Sequence, residues 1–208
     1  MPIKLAVFGA TGRLGRSICN QIADPFLLSP DPDLYIDASL PPGVPHHLET
    51  AVAAKRPIVI GVTALSDETH TLLAAAAKSI PVFYSPNFSL GIALMKKFAE
   101  FISRAFHPEA DIDLIETHHT KKKDAPSGTS LSIAKILEEN GRKPTLHSIR
   151  SGEIIGIHEL IFNTAEEQIA FTHTTHSRDA FARGALAAAA FLIRQDPGLY
   201  GMEDLMRG

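Results

Sequence analysis

Short apolar runs alternate with apolar residues at helical spacing through the first part of the chain. Ile3 to Phe8 is a compact apolar strand, the turn Gly9-Ala10-Thr11-Gly12-Arg13-Leu14-Gly15 follows it, and a helix continues through about Ala23. Further strands are predicted at Leu34 to Ser39, Ile58 to Val62 and Ile80 to Tyr84, with helices between them from about Val44 to Lys55 and from Ser66 to Lys78. Strand and helix in strict alternation imply right-handed βαβ units and a parallel sheet. The one break is a connection before Leu34 that contains Pro25, Pro30 and Pro32 and carries no periodic signal.

The pattern changes after Asn87. A helix is predicted from about Leu90 to Phe106, and Ala110 to Glu116 then alternates apolar and polar residues, the mark of a half-buried strand. Pro126 interrupts regular structure, and Ser127 is a good N-cap for the apolar run Leu131, Ile133, Ala134, Ile136, Leu137, so a helix begins there. Strand-like runs at Leu146 to Ser151, Ile157 to Asn163 and Gln168 to Thr174 predict an open mixed or antiparallel sheet, followed by an alanine-rich helix from Arg178 to Arg194.

Composition narrows the function classes. With 208 residues, 45% hydrophobic and 21% charged, the chain reads as globular protein with one large or two small cores. A net charge of −3 argues against nucleic acid as main partner, and the Lys121 to Lys123 run is too short to change that. Cys19 is the only cysteine, so no internal disulfide is available, and no cysteine and histidine spacing matches a zinc site; no metal is expected. Without a run of about 20 apolar residues or a cleavage-like N-terminal region, a cytoplasmic protein with no membrane partner is expected.

The densest chemistry lies in Glu116-Thr117-His118-His119-Thr120-Lys121-Lys122-Lys123-Asp124-Ala125-Pro126-Ser127-Gly128-Thr129. The predicted strand delivers two histidines to its end, and imidazole is the proton carrier suited to neutral pH. The helix beginning at Ser127 turns its first amides, on Gly128 and Thr129, toward whatever precedes it, where the helix dipole favours a carboxylate or phosphate. A lysine three to five residues upstream can supply the counter-charge. Taken singly, a lysine run is usually a solvated turn and paired histidines usually surface residues.

The pattern E-x-H-H-x-x-K-x-D-A-P-S-G-T resembles the signature of the dihydrodipicolinate reductases of lysine and diaminopimelate synthesis. The likeness extends through Gly12 to Gly15, Ile36 to Ser39, Ile60 to Thr63, Asn87 to Gly91, Arg150 to Gly156 and Ser177 to Ala185. It implies an α/β fold: a shortened Rossmann-like parallel-sheet domain, 1–88 with 178–208, and a smaller α+β domain for substrate binding and oligomerisation, 89–177, with an open mixed sheet. It further implies reduction of a cyclic dicarboxylate by NADPH or NADH, with His118 as proton donor and Lys122 as carboxylate clamp and charge stabiliser. His119, Gly128 and Thr129 complete the substrate site. Cofactor contacts fall at Gly9, Thr11, Gly12, Arg13, Leu14, Gly61, Thr63, Ser85, Asn87 and Phe88, and a homotetramer is expected.

The chain departs from that family between the first helix and Leu34, where the family has an additional strand, helix and strand. The acidic residue that grips the adenosine ribose in a dinucleotide fold belongs to the missing part. Asp37 falls 37 − 15 = 22 positions after Gly15 but aligns with a later block and is not assigned to ribose. Arg13 and Arg16 can meet phosphate, which inclines the reading to NADPH and leaves the choice open. Two alternatives stand beside the reductase: a nucleotide-binding sensor impaired in turnover, and an oxidoreductase for another small dicarboxylate or aldehyde.

Overall fold

A computed structural model of the chain describes residues 2–206. In chain order the elements are β1 (Ile3–Phe8), α1 (Arg13–Gln21), β2 (Phe26–Leu28), β3 (Leu34–Asp37), a 3-10 turn (Pro41–Gly43), α2 (Val44–Ala54), β4 (Ile58–Ile60), α3 (Asp67–Ala76) and β5 (Pro81–Tyr84). They are followed by α4 (Leu90–Ala105), β6 (Asp111–His118), α5 (Gly128–Glu139), β7 (Thr145–Arg150), β8 (Gly156–Asn163), β9 (Gln168–Thr175), α6 (Asp179–Leu192), β10 (Gly198–Tyr200) and α7 (Met202–Leu205). Contacts divide the chain into two compact units, Met1–Leu90 with Arg178–Gly208, and Gly91–Ser177.

The first unit is built on a parallel six-stranded sheet in the order β10-β5-β4-β3-β1-β2. Its central strands are apolar on both faces, as Ile58, Val59 and Ile60 illustrate, because helices cover both sides of a parallel sheet. The row Ala182, Ala185, Ala188 and Ala189 of α6 is fully buried. Small side chains there allow the helix backbone to approach closely, and Gly184 makes the closest approach of all, since a Cβ on it would lie 1.9 Å from the Phe88 carbonyl oxygen.

The proline-containing connection is not wholly irregular. Phe26–Leu28 forms a short strand parallel to β1, with Ile3 opposite Phe26 and Leu5 opposite Leu28. Three apolar residues are fewer than the run that sequence periodicity detects. β2 stops level with Leu5, whereas β1 continues three residues further to Phe8, so the end of β2 does not reach the carboxyl edge of the sheet.

The second unit is an open mixed sheet in the order β7-β6-β8-β9, with β6 parallel to β7 and antiparallel to β8, and β8 antiparallel to β9. One face packs on α4 and α5. Ile112 and Leu114 of β6 and Leu160 and Phe162 of β8 bury there against Ile92, Met95, Ile102, Ile133 and Leu137. Each such side chain contributes about 1.5–3 kcal/mol of burial. Toward the end of β6 the same inward row becomes polar, with Glu116, His118 and, on β8, His158 all buried. A buried polar layer at a strand end is where chemistry is to be sought.

Candidate active site

Glu116 organises the polar layer in the second unit. It is 1% exposed. Its Oε2 accepts from the Ser127 amide at 2.9 Å and the Ser130 hydroxyl at 2.7 Å, while Oε1 accepts from the Ser148 hydroxyl at 3.0 Å and the Arg150 guanidinium at 2.9 Å. Burial by itself raises the carboxyl pKa, but the donors on Ser127, Ser130 and Arg150 outweigh it and hold it at about 2. Glu116 is therefore a fixed anion. It ties β6, β7 and the start of α5 together at one point.

The start of α5 follows from local sequence. Ser127 has extended backbone geometry, φ −68° and ψ 156°, and its hydroxyl accepts from the Ser130 amide at 3.2 Å, as an N-cap does. Gly128 and Thr129 occupy the first helical turn. A Cβ on Gly128 would meet nothing within 4 Å, so open space lies beside this residue.

His118 is buried at the end of β6 with Nδ1 3.8 Å from Glu116 Oε2. Burial lowers its pKa, the Glu116 charge opposes that shift, and the Lys122 and Arg150 cations reinforce it. The net effect is an imidazole that releases its proton more readily than in water. Lys122 is held beside it, its Nζ contacting both oxygens of Asp124 at 2.9 and 2.7 Å. That ammonium keeps the Asp124 carboxyl below its ordinary value. The Lys122 amide donates to the His119 carbonyl at 3.1 Å, closing the turn, and the Arg150 guanidinium also reaches the Asp124 carbonyl. His118, His119, Lys122, Gly128 and Thr129 thus stand on one segment anchored by Glu116.

The first unit presents a different site. The carboxyl ends of β1 and β3 enclose a cavity of about 580 Å³ lined by Gly9, Thr11, Gly12, Ala38, Ser39, Leu40, Pro42, Gly43 and His47. Gly9 adopts φ +74°, where a Cβ would strike Ala38 at 2.6 Å, and a Cβ on Gly15 would lie 2.1 Å from the Gly9 carbonyl oxygen. The turn therefore folds tightly and α1 packs close to it, as a pyrophosphate-binding turn requires. The glycine cradle and the cavity volume fit a dinucleotide.

The other cofactor candidates fall at strand ends of this unit, with Gly61 and Thr63 after β4 and Ser85, Asn87 and Phe88 after β5. The Ser85 hydroxyl and the Asn87 side-chain oxygen are turned inward on the loop, bonding the Asn87 carbonyl and the Ser89 amide at 2.7 and 2.9 Å. Phe88 is 2% exposed. Its ring fills the place a Gly61 side chain would take, within 2.4 Å of that Cβ position, so it supports the sheet edge from below.

Two residues at these sites gain from the structure contacts that sequence reasoning did not give them. Asp37 is fully buried, accepting from the Ser39 amide at 2.9 Å and meeting His47 Nδ1 at 2.8 Å, and the His47 ring stacks on Phe8 at 4.0 Å between centroids. One Asp37 oxygen is thereby committed to the turn and the other to His47 of α2. In the second unit His158 lies on the inner face directly across the ladder from Glu116. Its only sequence signal was its place in the inward alternation of β8.

Residues 22–88 match the family model described as dihydrodipicolinate reductase, N-terminus, and residues 91–206 match dihydrodipicolinate reductase, C-terminus. The chain is 35% identical over 236 residues to the 4-hydroxy-tetrahydrodipicolinate reductase of Stenotrophomonas maltophilia strain R551-3, covering 99% of this chain and 98% of that protein. It is 39% identical over 194 residues to the enzyme of the same name from Caldanaerobacter subterraneus subsp. tengcongensis, covering 84% and 77%. The first alignment exceeds this chain by 236 − 208 = 28 positions. Among solved structures, the dipicolinate-bound dihydrodipicolinate reductase of Paenisporosarcina sp. TG-14 shares the fold, with a TM-score of 0.77 at 22% identity over 98% of this chain and 99% of that one. With the two family models following one another from residue 22 to residue 206 and a relative matched along nearly its full length, this chain belongs to the dihydrodipicolinate reductase family.

Proposed function

We propose that the chain reduces 4-hydroxy-tetrahydrodipicolinate, with NADH or NADPH as the reductant, in lysine and diaminopimelate synthesis. The observation that carries this reading is the Glu116 anchor, which sets a buried imidazole, a paired ammonium and a capped helix start on one short segment. The first unit serves as the dinucleotide-binding domain and the second as the substrate-binding and oligomerisation domain. When bound, the nicotinamide supplies the hydride. The Gly9 to Gly12 turn and the start of α1, with Arg13 and Leu14, receive the pyrophosphate, and the strand ends bearing Gly61, Thr63, Ser85, Asn87 and Phe88 shape the rest of that site.

The substrate is a dicarboxylate. Lys122 exchanges Asp124 for one of its carboxylates, and His119 with the amides of Gly128 and Thr129 completes the grip at the helix start. His118 donates a ring proton to the substrate as negative charge develops on it, and the Lys122 ammonium stabilises that charge. The buried setting of His118 favours release of the proton in that step. A homotetramer assembled through the open sheet of the second unit fits the strand edges that β7 and β9 present, and no helix among the described residues is long and apolar enough to cross a membrane. A cytoplasmic enzyme is consistent with both.

The deciding experiment is oxidation of NADH and NADPH by purified protein with enzymatically generated substrate, with light scattering on the same sample. Turnover is expected with at least one cofactor, alongside a tetrameric mass. His118→Gln should lower kcat about a hundredfold with little change in KM, the size expected for loss of a general acid. Lys122→Met should raise the substrate KM and lower kcat together. Absence of turnover with either cofactor, or a His118→Gln protein as fast as wild type, would defeat the reading.

A further inference from the structure

The inner face of the second unit carries a histidine to which the steps above give no task. His158 is 4% exposed, and neither of its ring nitrogens has a hydrogen-bond partner among the described residues. A buried polar ring without a protein partner is a costly occupant, since each unsatisfied buried group loses about 1–3 kcal/mol. Leu160 and Phe162, the next two inward positions of the same strand, fill theirs with apolar side chains and are fully buried. Packing alone does not call for an imidazole at 158.

Its surroundings do. The His158 ring stands edge-on to the His118 ring, with centroids 5.1 Å apart and planes at 77°. One donor or acceptor atom from each of Glu116, His118 and His158 lies within 4.8 Å of the others. A gap of that size closes through a single water about 2.8 Å from each atom. Gly156, beside them on β8, leaves the room: a Cβ there would sit 3.2 Å from His118 Nε2 and 3.8 Å from His158 Cε1.

Glu116 and two histidines have the donor types of a metal site, yet the electrostatics disfavour a dication. Both Glu116 oxygens already accept two hydrogen bonds each, one of them from the Arg150 guanidinium, and Lys122 adds a second cation close to His118. The place suits a proton. The charged and titratable groups facing the pair are Glu116 of β6, Arg150 of β7, His173 of β9, and Lys122 and Asp124 of the loop, while the α5 start offers the Ser127 and Ser130 hydroxyls.

We propose that His158 is a positioning residue for the proton donor, a neutral imidazole that accepts a hydrogen bond from protonated His118, directly or through one water, and so keeps that ring charged and aligned until the proton is delivered. This rests on His118 being the donor. Burial holds the His158 pKa down at about 4, with the neighbouring His118 charge adding to the effect, so His158 stays neutral where His118 works. As a neutral acceptor it does not repel the imidazolium.

The test compares pH profiles of kcat and KM for wild type, His158→Phe and His158→Gln, with His118→Gln as reference. In wild type the rate falls as rising pH strips the donor of its proton. His158→Phe should move that falling limb about one pH unit lower and cut kcat above it about tenfold, with both KM values within about threefold. His158→Gln, whose amide oxygen also accepts, should recover kcat and the limb to near wild type. A His158→Phe profile superimposable on wild type overturns the proposal, as do equal losses in both variants with no movement of the limb. A fully active His118→Gln protein overturns the donor reading as well, whereas an inactive one beside an unaltered His158→Phe protein sinks the His158 proposal alone. Should His158→Phe not fold, long-range proton–nitrogen NMR of wild type decides. His158 nitrogens that shift as His118 titrates support the hydrogen bond, and nitrogens indifferent to that titration refute it.

Discussion

Replacing Glu116 by glutamine keeps the shape of the side chain and removes its charge. The folded carboxyl titrates at about 2 against an ordinary 4.5, a difference of 4.5 − 2 = 2.5 units. At 1.36 kcal/mol per unit, the anchored carboxylate contributes about 3 kcal/mol. Because the folded pKa is the depressed one, that contribution is complete above pH about 4.5 and is lost as pH falls toward 2, so at neutral pH the substitution removes all of it. The glutamine also turns an NH2 group toward donors on Ser127, Ser130, Ser148 and Arg150. Hydrogen exchange read peptide by peptide suits this two-unit chain, since it reports local opening without a single global transition. Protection of the first turn of α5 and of the paired ends of β6 and β7 should drop about a hundredfold in Glu116→Gln. Ser148→Ala, which removes one of the four hydrogen bonds to that carboxylate, worth about 1.5 kcal/mol at the low end for a charged acceptor, should lower it only about tenfold. Protection in Glu116→Gln within about threefold of wild type would refute the anchor.

Two further outcomes follow from close contacts and buried charge. Gly184→Ala places a methyl 1.9 Å from the Phe88 carbonyl oxygen, backbone that cannot swing aside. It should lower the urea midpoint of the first unit by the equivalent of about 1–3 kcal/mol, as overpacking does, and an unchanged midpoint would show that α6 can slide. His158, held at about 4 when folded against an ordinary 6.5, binds its proton more readily when unfolded. Stability should therefore decline as pH falls from 6.5 toward 4, and His158→Phe should flatten that part of the curve. A variant as acid-sensitive as wild type in that window would place the titrating group elsewhere.

The βαβ pattern of the first unit was legible because its strands are continuous apolar runs and its helices carry clear periodicity, so only their ends moved. The strand predicted to Ser39 stops at Asp37, where that carboxylate turns to the Ser39 amide. Ser127 was legible as a cap because proline and serine act locally. β2 was not, since its three residues gain strand character only by lying beside β1. His158 was hidden for the same reason: its meaning comes from standing opposite Glu116 on a neighbouring strand, a pairing that single-sequence periodicity does not carry. Asp124, by contrast, sits two residues from Lys122 in the quoted motif, and only the structure shows that it holds the ammonium.

A sheet shortened at its flank ordinarily leaves a row of unpaired amides and carbonyls that invites strands from other molecules. Here the outermost ribbon is only Phe26–Leu28, bracketed by Pro25 and Pro30, so an incoming chain finds almost no ladder to extend and meets a residue lacking an N–H on either flank. The border of the first unit at this strand is thus self-terminating toward the addition of a further strand.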